Sequence, residues 1–285
     1  MLYSRFDRAV RRLVPSVGKM SYNPLVKIVG NAVAVAFSLP FPELRELPPN
    51  HLRIRIGVGN RVLTNHVHFM EMGNSFWLDF ISKQYCTSTS EVVELGCGCG
   101  RIARPLKGDW FQGTYVGVDL DREMIDYCCG HFPKKKFSFV LSPHKSKTYS
   151  GRTAAASGAG DKLAIAEPIS KDFIFSISLY SHLLEPEFKE YLQESARILR
   201  PGGLMHMTFF CIEHVELGER WTFKHRMGDS YVENKQLPEA AVAYEEEHVR
   251  KLVQDCGFAD VTVLPKKLQS VLLARKPYHS ESVQA

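Results

Sequence analysis

No CxxC pair occurs anywhere in this 285-residue chain. Its seven cysteines are an odd number, and they stand singly or as Cys97/Cys99 and Cys128/Cys129. That spacing signals neither a zinc site nor a disulfide framework, and it predicts a reducing, cytoplasmic setting. The apolar, small-residue stretch Ile28 to Leu39 falls short of the roughly 20 residues that a membrane-crossing helix needs. No internal repeat is visible. Outside the first 30 residues there is no excess of either charge sign. The net charge is +5, and residues 1–30 hold six basic groups (Arg5, Arg8, Arg11, Arg12, Lys19, Lys27) against the single acid Asp7. The remainder balances 30 basic with 30 acidic residues. A nucleic-acid enzyme usually carries a basic working face, and the net charge of this body gives no support for one, so nucleic acid is not an expected partner.

What is present suits one α/β domain with an extension: 45% of residues are hydrophobic and 24% charged. Leu2, Phe6, Val10, Leu13 and Val14 recur at helical spacing, and Pro15 would end that helix. Two readings stand. Residues 1–20 could touch an anionic membrane surface peripherally, or the helix docks on its own domain with its arginines solvated. Ile28 to Leu39 reads as a packed helix or as a lipid- or substrate-facing cap. Pro40, Pro42, Pro48 and Pro49 form a linker. The expected organisation is a helical extension over 1–48, a main domain over 49–277 and a tail over 278–285. Residues 144–161, rich in Ser, Gly, Ala and Lys, read as a mobile insertion: a lid that orders on substrate, or plain disorder.

The chain is organised around Glu91-Val-Val-Glu-Leu-Gly-Cys-Gly-Cys-Gly100. It predicts a buried strand over 92–95, a glycine turn and a helix of about ten residues from Arg101. A turn of this kind brings a ligand against main-chain N–H groups. A dinucleotide would place an anionic pyrophosphate there. S-adenosylmethionine would place a cationic sulfonium and ammonium there. Glu94 repels the first and attracts the second. The dinucleotide pattern also wants a glycine where Arg101 stands.

Further elements follow in order. Leu52 to Ile56 alternates as a short strand would. Phe69 to Tyr85 has helical periodicity. Thr114 to Asp119 is a strand ending in an acid, nineteen positions after Gly100, where a carboxylate can accept both ribose hydroxyls. Asp121 is the better placed N-cap for the helix 122–129. Strands are expected over 137–141, 172–178 and 204–210. A helix over 185–199 has Pro186 in its first turn, and another over 245–256 ends at Gly257. Residues 261–264 and 270–274 read as a closing antiparallel pair.

Glu94-x-Gly96-x-Gly98-x-Gly100 resembles motif I of the class I S-adenosylmethionine-dependent methyltransferases, and Leu199-Arg-Pro-Gly-Gly-Leu204 resembles a second marker of that family. The likeness covers about Glu91 to Ala274. It implies a Rossmann-like sheet of seven strands, mostly parallel with the last antiparallel, behind a helical extension. It implies S-adenosylmethionine as cofactor, held by Glu94, Gly96, Cys97, Gly98, Asp119, Leu120, Ser142 and Ser178. The acid that often follows the third strand in this family is replaced here by Ser142-Pro143, which leaves adenine to backbone groups or Ser142. Arg55 is a candidate for the methionyl carboxylate, against an ordinary solvated arginine.

The family places the acceptor just past the fourth strand, at Leu179 to His182. This makes His182 the candidate general base, against a purely structural role bonded to backbone. His206, His214 and His225 are weaker, and His66/His68 lack a third ligand for a metal, so no metal is expected. Absence of Asp/Asn-Pro-Pro-Tyr and of Pro-Cys after the fourth strand sets aside base methylation. The remaining likeness, to bacterial enzymes of glycan and secondary-metabolite pathways, implies O-methylation of a small molecule such as a sugar, glycolipid or natural product. The alternatives are a protein or RNA methyltransferase recruited through the N-terminal helix, a non-catalytic binding protein of this fold, and a nucleotide-dependent oxidoreductase, which Glu94 and Arg101 oppose. The residues specify no oligomeric state.

Overall fold

The structure, a computed structural model, describes residues 24–57, 65–144, 163–218 and 220–278. The helix expected over Leu2 to Val14, nearly all of the 144–161 insertion and nearly all of the tail lie outside these residues. The chain divides into two compact units: residues up to Leu78 together with Cys99–Pro105, and Asp79–Gly98 together with Leu106 onward.

The first unit is helical. Helix α1 spans Pro24–Ser38, α2 Pro42–Arg45, α3 Asn50–Arg53, and α4 His66–Ser82 begins here. The short strand expected over Leu52 to Ile56 is instead α3 and a following turn. Apolar and basic residues alternate there, but Arg53 is buried rather than exposed, and its Nη2 lies 3.0 Å from His66 Nε2. A period of two was therefore not the sign of one wet face. The helix expected from Arg101 is also absent. Arg104 N–H bonds the Gly100 carbonyl, but Pro105 has no N–H to continue the ladder, and only the 3₁₀ turn Arg104–Lys107 forms. The Ile102 carbonyl accepts the Trp77 indole N–H at 2.6 Å instead.

The second unit carries the sheet. Its strands are β1 Glu91–Leu95, β2 Thr114–Asp119, β3 Phe137–Leu141, β4 Lys171–Ser176, β5 Leu199–Cys211, β6 His225–Met227, β7 Ser230–Val232, β8 Val242–Tyr244, β9 Ala259–Leu264 and β10 Ser270–Arg275. Helices α5 Arg122–His131, α6 Glu185–Ile198 and α7 Glu246–Asp255 connect them. The main path runs β3-β2-β1-β4-β5, all parallel, followed by β10 antiparallel to β5 and β9 antiparallel to β10. This is the expected seven-stranded, mostly parallel Rossmann-like sheet. It carries an addition that periodicity did not reveal. Strand β5 is long enough for its last residues, Phe210 and Cys211, to leave β10 and pair with β8, which extends through β7 to β6.

Parallel strands covered on both faces read as near-continuous apolar runs. β1 and β4 do so, and Val93, Leu95, Val116, Val118 and Ile174 join Phe188, Leu192 and Ile198 of α6 in the main core. The opposite face holds Phe80 of α4 against Phe173, Phe175 and His206. Pro186 sits at the start of α6, as its position in the sequence predicts.

Candidate active site

The site lies where β1, β2, β3 and β4 of the second unit end. After β1 the chain reverses through Gly96 (φ +82°) and Gly98 (φ +53°), both in the left-handed region that favours glycine. The N–H groups of Gly96 and Cys97 both bond the Val118 carbonyl, at 2.8 and 2.9 Å. The Gly98 N–H donates to Asp119 Oδ2 at 2.7 Å. Three successive turn donors are thus spent on β2 and on a carboxylate. They do not form the outward nest of N–H groups that cradles a phosphate.

Asp119 stands at the end of β2, half-buried, and its Oδ1 accepts the Asp121 N–H at 2.9 Å. Two main-chain bonds therefore orient its carboxylate, which offers about four acceptor positions in all. Asp121 caps α5 by accepting from Met124 N–H, as the sequence reading placed it. Leu120 is half-buried beside them.

Glu94 is placed differently from the expectation. It does not stand at the rim of the turn. It is 2% exposed on the β1 face and accepts the hydroxyl of Tyr115 from β2. Burial and the Glu94 charge hold the Tyr115 phenol far above its ordinary titration range, so that it remains a donor. Any pull of Glu94 on a cation acts as a field through low-dielectric protein rather than from an exposed rim. Cys97 is buried, and its thiol donates to the Gly98 carbonyl at 3.6 Å, as does Cys128 at 3.7 Å.

Ser142 follows β3. It is fully buried, with its N–H on the Asp119 carbonyl at 2.8 Å and its hydroxyl 2.9 Å from the Tyr191 hydroxyl. The His144 ring lies 4.9 Å from that of Tyr191. Tyr191 was not found from the sequence. It lies on α6, between the inward-facing Phe188 and Leu192.

Past β4, Ser178 adopts φ +64°, uncommon for a residue with a side chain. Thr208 and Gln269 hold it there: Ser178 N–H donates to Thr208 Oγ1 at 2.7 Å, and both hydroxyls donate to Gln269 Oε1 at 2.9 Å. No sequence signal pointed to Gln269, which sits in the turn before β10.

His182 closes the 3₁₀ turn Tyr180–His182, and its Nδ1 lies 2.9 Å from the Glu239 carbonyl. A carbonyl only accepts, so Nδ1 carries the proton and Nε2 the lone pair in the neutral ring. Burial lowers the His182 pKa below its ordinary value, which keeps the ring neutral near pH 7.

Two of the other candidate histidines are placed elsewhere. His206 is buried on β5, and its pKa is pushed down to about 4 by burial. His214 faces Glu246 at 3.4 Å and Ser270 at 3.1 Å. Cys211, His214 and Glu246 bring ligand-type atoms within 4.8 Å of one another, as do Glu185, Asp229 and His248. Each grouping draws in at least one residue from far along the chain, which sequence spacing does not show.

The residues fit S-adenosylmethionine: an oriented carboxylate at the β2 end, the buried Glu94 carboxylate two positions before the turn, and a glycine turn whose first donors are taken. The chain is also similar to known proteins. Residues 93–207 match the model of a family described as methyltransferase domain. A fatty-acid O-methyltransferase of Mycolicibacterium smegmatis is 31% identical over 112 residues, covering 39% of this chain and 34% of that protein. A malonyl-[acyl-carrier protein] O-methyltransferase of Hahella chejuensis is 26% identical over 176 residues, covering 61% and 55%. The chain thus spans between a third and just over half the length of these relatives. Among solved structures, an S-adenosylmethionine-dependent methyltransferase of Methanosarcina mazei aligns with a TM-score of 0.47 at 18% identity, over 70% of this chain and 98% of that one.

Proposed function

We propose that this chain is a class I S-adenosylmethionine-dependent methyltransferase that moves the methyl group of its cofactor to an oxygen atom of a small molecule. The observation that carries the reading is the turn itself. Its Gly96, Cys97 and Gly98 N–H groups are consumed by Val118 and Asp119, which leaves a carboxylate-edged site suited to a cation and a diol, not a diphosphate.

The bound cofactor would supply an electrophilic methyl group on a good leaving group. The protein's own task is then alignment of the acceptor and handling of its proton. Asp119 holds the ribose hydroxyls, with Gly98 and Asp121 fixing its carboxylate. Glu94 contributes negative potential beneath the turn. Leu120 and the backbone around Ser142 border the adenine, and Ser178 shapes the crevice past β4. His182 takes the acceptor's proton on Nε2, with Nδ1–H anchored on Glu239.

The names of the two curated relatives specify O-methylation of a fatty acid and of an acyl-carrier conjugate. These support an oxygen acceptor on a metabolite-sized group, within the range of sugar, glycolipid and natural-product acceptors. A carboxylate acceptor carries no proton at neutral pH and needs no base. A hydroxyl acceptor needs one, worth roughly 10²–10⁴-fold.

Calorimetry with S-adenosylhomocysteine tests the site. Binding should be lost in Asp119→Ala and strongly weakened in Gly98→Val, while reduced nicotinamide dinucleotide should not bind. Full-affinity binding by both variants would overturn the assignment.

A further inference from the structure

Helix α1 is built inside out. At about 100° per residue, Gly30, Ala34 and Ser38 form one stripe, and this stripe is the buried one. Asn31 beside it makes a polar contact within the first unit, with Nδ2 3.0 Å from His51 Nδ1 and Oδ1 accepting the His51 N–H at 3.2 Å. The large aliphatic side chains face away. Ile28 is 64% exposed, Val29 58%, Val35 59% and Leu39, just past the helix end, 58%. With Val33 they cover a sector of roughly 160°, filled in by alanines and free of charge. Phe41 continues it. A helix docked on its own domain for stability presents the opposite arrangement, with aliphatics inward. A contiguous apolar surface of this kind marks an interaction site.

We propose that this outward face of α1 is a docking surface for an anionic lipid bilayer, with the helix lying in the interfacial plane. Charge selects this occupant. From Arg8 to Pro42 the chain holds five basic residues (Arg8, Arg11, Arg12, Lys19, Lys27) and no acid. Basic residues beside an apolar helix favour anionic headgroups. An excess of positive charge without acids offers no complementary charge to a second copy of the same segment. The helix has 15 residues, too few to span the hydrocarbon core, and no described helix is long and apolar enough to cross a membrane. An in-plane helix requires only its outer sector to enter the acyl boundary. The inference stands apart from the methyl-transfer reading, because it uses none of the residues of that site.

The test is sedimentation of the full chain with vesicles of phosphatidylcholine alone and of phosphatidylcholine with phosphatidylglycerol. Binding is expected only to the anionic vesicles and should weaken as salt rises. The double variant Ile28→Glu/Val35→Glu alters two exposed positions. It should keep its circular dichroism, melting temperature and S-adenosylhomocysteine binding, yet lose vesicle affinity by on the order of a hundredfold. Equal vesicle binding by the double variant would overturn the proposal. So would a wild-type chain that stays in the supernatant, or a dimer that the same two substitutions dissolve.

Discussion

His182 and Asp119 show how much one side chain's partners decide. In the sequence both are residues at strand ends. In the structure each has its chemistry set by a backbone group: a carbonyl fixes the tautomer of His182, and two N–H groups aim the carboxylate of Asp119. Replacing His182 by Gln should leave cofactor binding within about twofold. If the acceptor is a hydroxyl, kcat should fall by roughly 10²–10⁴-fold. The wild-type rate should then lose activity toward acid only below the ordinary histidine range, because burial lowers the His182 pKa. A His182→Gln enzyme with unchanged kcat would assign the acceptor to an already ionised oxygen. Asp121 offers a simpler case. Its removal by Asp121→Ala should cost about 1 kcal/mol through the lost cap on Met124 N–H, read as a lower melting temperature with S-adenosylhomocysteine binding retained. The strand-end place of Asp119, the cap at Asp121 and the glycine turn were legible because acids at strand ends, caps and turns have local signatures, whereas His182 was singled out only by the family resemblance. Tyr191, Thr208, Gln269 and Glu239 were not, since each reaches its partner across 30 to 91 positions of chain.

Elements were legible where one rule dominated. The apolar runs of β1 and β4 and the stripe of α6 with its early proline formed as their patterns required. Failures came where a single residue outvoted the pattern. Pro105 cut short the helix after the turn, and the buried Arg53 turned an alternating segment into α3. The turn before β2 gives an element-scale prediction. A Cβ on Gly113 would lie 2.0 Å from the Ser90 carbonyl oxygen, and main chain on both sides leaves little room to move. Gly113→Ala should therefore destabilise the fold by about 2–3 kcal/mol, visible as a drop in denaturation midpoint without change of slope.

For the molecule as a whole, pH acts through buried imidazoles. His206, His66 and His182 all have pKa values lowered from 6.5, with burial the first cause in each case. The unfolded chain binds these protons near pH 6.5 and the folded chain only at lower pH, so ν_U exceeds ν_N in that window and stability falls as pH falls. For His206, with its value near 4, the loss approaches about 3 kcal/mol by pH 4. Urea titrations at pH 7 and pH 4.5 should show this. A His206→Phe variant, which keeps a ring against Phe80, should lose part of the acid sensitivity. Equal sensitivity in that variant would place the effect in other groups.

The amino-acid sequence by itself determined the sheet, the glycine turn after β1 and the strand-end acid, because glycine conformation, apolar period and capping act over a few residues. Only the tertiary structure decided that Glu94 lies inside the sheet under Tyr115, that β5 reaches onward to β8, and that α1 turns its aliphatic side outward. Those outcomes depend on which neighbour a side chain meets after long chain separation, and no local pattern encodes the winner of that competition.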